Sequence, residues 1–198
     1  MYRLFYNKPV TGDILFIVIA SEKKPSRVER KGDVAAIYQG DELIGINLFN
    51  AQKIFPFPNE GILYAPCKKL IAAVNKAVLE AGISPLPESG DSGFHVAKIV
   101  GLEEHPLDEK AQIVSLDLGE RKATTVSAYP NLSLGDEVVV ALDGTILRDG
   151  SVFHALVSRN IPSEVSIMAS QDLGLVPSEG AYHPENLKEG SDFFYANN

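Results

Sequence analysis

The sequence has few of the residues that cross-link a fold through covalent bonds or metals. Its single cysteine, Cys67, excludes an internal disulfide. Four histidines accompany this thiol without Cys-x-x-Cys or His-x-x-x-His spacing, so we predict no structural zinc site and no other metal site. The glycines Gly40, Gly45 and Gly61 are too scattered to form a phosphate-binding loop, and we expect no cofactor.

Long apolar segments are also missing. The longest unbroken one, Ile14–Ala20, has seven residues, whereas a membrane-spanning helix needs roughly 20. We therefore interpret this segment as a buried strand and expect no membrane association. The first residues lack a basic region followed by a long apolar stretch, so we expect no signal peptide and a cytoplasmic location.

Basic residues are scarce in one half of the chain. Residues 1–90 contain 11 Lys/Arg and 9 Asp/Glu, whereas residues 91–198 contain 7 and 17, which leaves net charges of +2 and −10. Nucleic-acid sites normally carry an excess of positive charge on at least one face. If the second half binds RNA, its few cations must gather on one face, and we expect a positive patch over Lys98, Lys110 and Arg121.

A segment rich in proline and glycine, residues 83–93, reads as a linker, and we place a domain boundary near Gly90. Residues 1–90 are predicted to form a small α+β domain of unknown role. Its expected strands are Tyr2–Tyr6, Ile14–Ala20 and a hairpin of Val34–Tyr38 with Leu43–Phe49 around a four-residue loop. Apolar residues at helical spacing predict a helix over Cys67–Ala81, which Gly82 ends.

Residues 91–198 show an almost entirely β pattern, so the chain is predicted to be mainly β. Short strands at intervals of about ten residues are typical of a small barrel or a sandwich. The predicted strands are Phe94–Gly101, Gln112–Leu118, Ala123–Ala128, Glu137–Leu142, Val152–Val157 and Val165–Ala169, followed by a helical turn that Gly174 closes.

No combination of residues predicts a catalytic centre. Ser127 and Ser170 are candidate nucleophiles beside His105 or His154, but neither lies in a Gly-x-Ser-x-Gly elbow. Cys67 begins a predicted helix, where a thiol pKa can fall, yet a packed small residue is the simpler interpretation. We therefore predict that the protein is not an enzyme.

Several loop residues have both a structural and a binding interpretation. His105 to Asp108 is either a turn held by Asp108 or a loop that meets a sugar or phosphate. Tyr129 is suited to stack on a base, and Asn131 either binds a base or phosphate or caps the next helical turn. Ser166 and Ser170 are candidates for exposed hydroxyl donors, whereas Met168 is expected in the core.

The order of motifs in the second half resembles a known family, the tRNA-binding domain of the EMAP-II cytokine precursor, of free-standing bacterial tRNA-binding proteins and of the phenylalanyl-tRNA synthetase β subunit. The motifs are Val96-Ala-Lys-Ile-Val, His105-Pro-Leu-Asp, Val114-Ser-Leu-Asp-Leu-Gly, Val126-Ser-Ala-Tyr-Pro-Asn-Leu, Gly135-Asp-Glu-Val-Val-Val-Ala-Leu, and Ser166–Ser170 followed by Asp172-Leu-Gly-Leu. The resemblance covers roughly residues 93–195 and implies a five-stranded β-barrel of the oligonucleotide-binding (OB) type.

The whole chain resembles the two-domain YtpR-like proteins of Gram-positive bacteria. In those proteins an uncharacterised domain, of the DUF4479 type, precedes the tRNA-binding barrel. The stretches Arg30-Lys-Gly-Asp-Val and Gly45-Ile-Asn-Leu-Phe-Asn fit that first domain.

This resemblance implies a non-catalytic protein of translation that binds tRNA by shape and backbone contacts and forms a homodimer. The residues expected to contact RNA are Lys98, His105, Lys110, Arg121, Lys122, Tyr129, Asn131, Arg159, Ser166 and Ser170.

The sequence also departs from the family pattern. Ser166-Ile167 stands where the family has Gly-Met, and Glu164 stands where it has Ser. A new carboxylate on an RNA face opposes phosphate. The alternative is therefore a protein-interaction or assembly module, a barrel that has lost RNA affinity and binds a translation-related protein partner instead.

Overall fold

The computed structural model describes residues 2–20, 22–57, 61–88, 90–158 and 161–196. The chain divides into two compact units, Met1–Gly90 and Asp91–Asn198. Among the described residues, no helix combines the length and the apolar character that crossing a bilayer requires.

The first unit is built on one antiparallel sheet with the strand order β3-β4-β5-β2-β1-β6. A one-turn helix, α1, and a longer helix, α2, complete it. The elements are β1 (Arg3–Tyr6), α1 (Lys8–Thr11), β2 (Ile14–Val18), β3 (Arg27–Lys31), β4 (Val34–Gln39), β5 (Glu42–Phe49), β6 (Gly61–Leu63) and α2 (Lys68–Glu80).

Helix α2 packs its apolar stripe on one face of this sheet. It buries four residues at helical spacing, Leu70, Ile71, Val74 and Val78, against strand residues such as Leu15 and Ile17. This is the amphipathic pattern that predicted the helix. The helix ends as predicted, because Gly82 adopts a φ of 83° and lets the backbone N–H of Ile83 donate to the carbonyl of Val78.

Four local predictions for the first unit are corrected. Helix α1 occupies part of the expected loop between β1 and β2. Strand β3 was not predicted, because all five of its side chains are exposed and the sequence therefore shows no alternation. The β4–β5 turn has two residues, since Gln39 and Glu42 pair across it. Cys67, expected to be packed, is exposed.

The second unit is a nearly closed antiparallel barrel with the strand order β13-β10-β7-β8-β9, which confirms the predicted five-stranded OB-type fold. The barrel strands are β7 (Phe94–Glu104), β8 (Gln112–Asp117), β9 (Lys122–Ser127), β10 (Glu137–Ala141) and β13 (Ser166–Ile167). A separate two-stranded hairpin is formed by β11 (Leu156–Ser158) and β12 (Ile161–Ser163), and a last helix, α3, spans Phe193–Ala196.

Alternating residues of the barrel strands fill its interior. Ala97, Ile99, Val114, Leu116 and Val138 belong to one buried cluster, and together they produced the alternation from which the strands were predicted. Outside the barrel, the tail before α3 pairs with the start of β7. There the backbone N–H of Val96 donates to Ser191, at 2.9 Å.

The last third of the chain contains less regular structure than expected. The predicted strand Val152–Val157 is only a single bridge at Val152 and the start of β11. Predicted strand Val165–Ala169 is reduced to the two residues of β13, because Ser170–Leu173 begins a 3-10 turn immediately after it. Gly174 closes that turn with a φ of 77°, as predicted.

Candidate nucleic-acid interface

One cleft on the barrel brings together residues from three separate segments of the second unit. It has a volume of about 280 Å³. Tyr129 comes from the loop after β9, Ser166 from β13, and Arg148 from the loop between β10 and β11. The other lining residues are Leu147, Asp149, Ile167, Met168, Gln171 and Asp172. We call this site the tyrosine cleft. Of the ten predicted RNA contacts, Tyr129 and Ser166 are the two that it brings together.

Arg148 supplies the cation of the tyrosine cleft. Its guanidinium lies over Gly174, where an added Cβ would fall 2.0 Å from Nη1, so a larger residue at position 174 would displace it. Within the described parts of the chain, Arg148 has no hydrogen bond or ion pair, and its side chain is exposed. A guanidinium presented in this way keeps all its donors for a phosphate or a base edge.

Tyr129 is the aromatic residue of the cleft. Its ring packs partly against the barrel core, which limits its freedom before any ligand arrives. Burial and, to a smaller extent, the negative charge of Asp172 raise the pKa of its phenol. The phenol therefore stays neutral, and the ring has one face for stacking and one hydroxyl for a hydrogen bond.

Lys98 and Lys122 lie in a row of alternating charges across the outer wall of the barrel. Glu137, Lys98, Asp117 and Lys122 stand directly opposite one another on β10, β7, β8 and β9. Opposite residues on neighbouring strands share a face, with Cβ atoms about 5 Å apart. Each of the two lysines therefore has a carboxylate beside it, and this part of the wall has no net charge.

The expected single patch of cations is not formed. Lys110 precedes the first residue of β8, and Arg121 lies in the turn after its last residue. Six strand residues span about 20 Å, so these two cations occupy opposite ends of the strand. Arg159 lies outside the described residues.

The loop of His105 and Lys110 has the predicted turn structure. Asp108 accepts the backbone N–H of Lys110 at 3.1 Å, and the ring Nδ1 of His105 accepts that of Leu107 at 3.2 Å. The turn interpretation of Asp108 is thereby confirmed. The side chain of Lys110 remains exposed, so the turn also serves to present a cation.

Asn131 and Ser170 are engaged within the protein. The amide of Asn131 donates to Ala181 O at 2.9 Å and accepts from Ala181 N at 2.8 Å, so it holds the tail segment and does not cap the next turn. An added Cβ at Gly180 would lie 2.1 Å from its Oδ1. Ser170 is only 2% exposed and bonds Ser178, so the prediction of an exposed hydroxyl is wrong there. Met168 is buried, as predicted.

Glu164, the carboxylate expected to oppose phosphate, helps to close the barrel. Its backbone N–H donates to Thr124 O at 2.9 Å, and its side chain accepts the N–H of Thr124 at 2.8 Å. Thr125 adds a bond from its hydroxyl to Val165 O. These contacts join β9 to the segment before β13, where the sheet would otherwise leave an open edge.

Part of the acidic charge of the second unit has a structural explanation. All eight of its aspartates accept a hydrogen bond from a backbone N–H, most of them in turns, as short carboxylates do. They are Asp91, Asp108, Asp117, Asp136, Asp143, Asp149, Asp172 and Asp192. Eight of the seventeen carboxylates in this unit therefore have a structural role.

The cations of the second unit, in contrast, are available. None of the six in its described residues forms an ion pair, although carboxylates outnumber them. They are Lys98, Lys110, Arg121, Lys122, Arg148 and Lys188. The carboxylates that do pair with a basic group in this unit face histidines.

Comparison with known proteins gives one similarity over nearly the whole chain. A Bacillus subtilis protein described as "Putative tRNA-binding protein YtpR" is 29% identical over 197 residues, which cover 96% of this chain and 98% of that protein. The predicted resemblance to YtpR-like proteins is confirmed. A domain family described as a domain of unknown function, DUF4479, matches residues 21–86.

Other similarities are partial. The phenylalanine–tRNA ligase β subunit of Oceanobacillus iheyensis is 27% identical over 124 residues, which cover 62% of this chain but only 15% of that subunit. Among solved structures, a MetRS-related protein from Pyrococcus horikoshii has a TM-score of 0.35 and 13% identity, over 50% of this chain and 85% of that one. A similarity at that level supports no statement about function.

Two residues of the tyrosine cleft were not predicted from the sequence. Arg148 is an isolated cation before the Asp149-Gly150 turn, and only the packing of that turn beside β13 brings it to Tyr129. Gln171 lies in the 3-10 turn after β13 and joins the same cleft. A signal for Arg148 exists in the sequence, since Gly174 is the residue that its guanidinium requires, but no spacing rule connects the two.

Proposed function

We propose that the second unit binds tRNA without catalysing a reaction, through the tyrosine cleft and the cations around the barrel. The observation that carries this proposal is the free guanidinium of Arg148 beside the half-buried ring of Tyr129. An aromatic face for a base next to a cation for its phosphate is the usual combination at single-stranded nucleic-acid sites. The description of the Bacillus subtilis relative as a tRNA-binding protein supports the same ligand.

Ser166 adds a hydroxyl to the tyrosine cleft. The phosphate backbone of the RNA outside the cleft would be contacted by Lys98, Lys110, Arg121 and Lys122. Contacts of that kind fix the position of an RNA and carry little sequence information. His105 and Asn131 act in this proposal by holding the loops that carry Lys110 and Tyr129. Arg159 remains a proposed phosphate contact on the strength of its charge alone.

The test measures tRNA binding to the full chain at low ionic strength by fluorescence anisotropy. Arg148→Glu is expected to weaken affinity by about tenfold or more, because it replaces a charge-assisted hydrogen bond with a repulsion. Tyr129→Ala is expected to weaken it by a similar factor through the loss of stacking. Lys188→Glu is the matched control, since it changes the net charge equally at an exposed position outside the cleft. Equal effects of Arg148→Glu and Lys188→Glu would refute a specific site.

The alternative function, a protein-interaction or assembly module, is favoured by two observations. The first is that Lys98, Lys110 and Arg121 do not form the single positive patch expected of an RNA site. The second is that the hairpin of β11 and β12 exposes Leu156 and Val157 by 54% and 70%, and adjacent exposed apolar residues are typical of interaction surfaces. A wild-type protein that binds no tRNA at low salt would favour this function. The homodimer implied by the resemblance is tested by light scattering, with Val157→Asp expected to yield monomers if the hairpin forms the contact.

A further inference from the structure

The first unit has a groove of about 540 Å³, within the range of small-ligand sites. Three elements meet there. The end of β3 contributes Lys31, the 3-10 turn after β5 contributes Lys53, and the exposed side of α2 contributes Lys76. We call this site the lysine groove. All of it lies within residues 21–86, the segment that matches the domain of unknown function.

The walls of the lysine groove are held in place by contacts that involve no ligand. The carbonyl of Asp33 accepts the N–H of Phe49 at 2.7 Å, and its carboxylate accepts the side-chain amide of Asn50 at 3.0 Å. Arg30 donates Nε–H to Gly32 O at 3.1 Å while its guanidinium lies 4.2 Å from the ring centre of Phe49. The turn that follows Lys31 is therefore held against the end of β5 and Asn50, shortly before Lys53.

The charges in the groove are unbalanced. Three lysines line it against two carboxylates, Asp33 and Glu80, and that of Asp33 already accepts from Asn50. In the described part of the chain none of the three lysines forms an ion pair or a side-chain hydrogen bond. In this unit Lys23 is paired with Glu42, whereas Lys24 and Lys69, like the groove lysines, form no ion pair among the described residues. The groove differs by bringing three unpaired lysines together.

The floor of the groove is apolar and shallow. Val34 and Ile54 lie on one side, and Ala73 and Ala77 of α2 on the other. No aromatic ring lines it, so it offers no stacking surface for reading a base. Ammonium groups on flexible stems are compact point charges that suit phosphate oxygens and demand no fixed geometry.

From this geometry we propose that the lysine groove is a phosphate-binding site, with Lys31, Lys53 and Lys76 as its ligands. The phosphates come either from the backbone of an RNA or from a free nucleotide. The small apolar floor accepts the sugar or ring that follows the phosphate without selecting its identity. The site is independent of the tyrosine cleft and gives the first unit a ligand of its own.

The test follows backbone amide resonances of the ¹⁵N-labelled full chain during titration with inorganic pyrophosphate. The amides of Lys31, Gly32, Lys53 and Ile54 are expected to shift together. Lys53→Gln combined with Lys76→Gln is expected to weaken binding by at least about tenfold, since two charge-assisted contacts are removed. The control double variant, Lys24→Gln with Lys69→Gln, removes the same charge at exposed positions outside the groove and is expected to change affinity by less than about twofold.

The proposal is overturned if pyrophosphate shifts no groove amide, if shifts are spread over the surface, or if both double variants weaken binding equally. Two further titrations identify the phosphate source. A short RNA that shifts the groove amides at lower concentration than ATP supports a nucleic-acid backbone, and the reverse order supports a free nucleotide. Because the readout belongs to individual amides, a failure here is distinct from a failure of tRNA binding at Arg148.

Discussion

The two units of this chain use their surface charges in opposite ways. In the first, Lys23 pairs with Glu42, and Arg27 pairs with Glu29 and Asp41, while three lysines around one groove stay unpaired. In the second, no described lysine or arginine is paired, and the aspartates accept backbone N–H groups. The more acidic unit therefore leaves every described lysine and arginine outside ion pairs, whereas the first unit does not. Net charge alone is a poor guide to which unit can bind an anion, because it counts carboxylates that are already engaged in turns.

The structural role of the aspartates in the second unit is tested most strongly at Asp192, which accepts four hydrogen bonds. Its carboxylate accepts the backbone N–H groups of Ser92, Phe194 and Tyr195 and the hydroxyl of Ser92. Asp192→Ala leaves these donors unsatisfied and is expected to lower the free energy of unfolding by about 2–4 kcal/mol in urea denaturation. The matched change at exposed Glu189 is expected to stay within about 0.5 kcal/mol. Equal losses in both would mean that the acids of the barrel are not structural.

Glu164 separates the structural from the electrostatic role of a single carboxylate. Glu164→Gln retains an oxygen for the N–H of Thr124 and removes the charge, so stability is expected to change little. Glu164→Ala removes the acceptor and is expected to lower the free energy of unfolding by about 1–2 kcal/mol. If tRNA binds beside the contact between β9 and Glu164, Glu164→Gln is expected to strengthen tRNA binding severalfold, because the repulsion between carboxylate and phosphate is lost. Unchanged affinity would indicate that the RNA binds elsewhere than beside β13.

The salt dependence of tRNA affinity compares Arg148 in the tyrosine cleft with Lys122 in the row of alternating charges on the barrel wall. For each phosphate contact, the slope of log affinity against log salt is steeper by roughly 0.7–0.9. Arg148→Ala is expected to reduce the slope by about that amount. Lys122→Ala is expected to reduce it less, because the carboxylate of Asp117 on the neighbouring strand weakens the local positive potential even without an ion pair. Equal reductions would show that the alternating row does not screen its lysines.

The fold was largely predictable because its core segments repeat apolar residues at the period of their element. Helix α2 and the barrel strands β8 and β9 each bury one regular set of side chains, whereas β10 is a short apolar run with four consecutive buried residues. Strand β3 was not predictable, since none of its side chains is buried and it is a strand only because β4 pairs with it. Strand β13 is shortened by the 3-10 turn at Ser170, whose polar sequence follows it directly.

The candidate site was predictable only in part, because loops from distant segments build it. Tyr129 and Ser166 were found through the motifs that contain them, whereas Arg148 belongs to no motif and reaches the cleft by packing. Asn131 and Ser170 show the opposite error. Both have side chains that can bind a ligand. The sequence does not reveal that the tail folds back so that Ala181 forms hydrogen bonds with Asn131 and Ser178 forms one with Ser170.

The smallest expected effect concerns pH and the junction between the tail and β7. His95 bonds Asp91 at 3.0 Å, and this hydrogen bond, together with the charges of Asp91 and Asp192, raises the pKa of His95 above its ordinary 6.5 despite the opposing effect of burial. A histidine pKa that is higher in the folded than in the unfolded state means that protons favour folding. The resulting stability is fully present below about pH 6.5 and is lost as the pH rises through the folded pKa.

We therefore expect His95→Gln to cost more stability at pH 5.5 than at pH 8.5, by less than about 1 kcal/mol because the pair is partly exposed. Urea denaturation of wild type and variant at both pH values measures the difference. His154→Gln, at a histidine whose side chain is 67% exposed, is the matched substitution in the same unit. The expectation is contradicted if His95→Gln lowers the free energy of unfolding more at the higher pH, or if both variants show the same pH dependence. In either case the carboxylates around His95 hold the tail by hydrogen bonds from the backbone alone. The aspartates of the barrel would then act only as acceptors in turns, with no part in pairing a basic group at this junction.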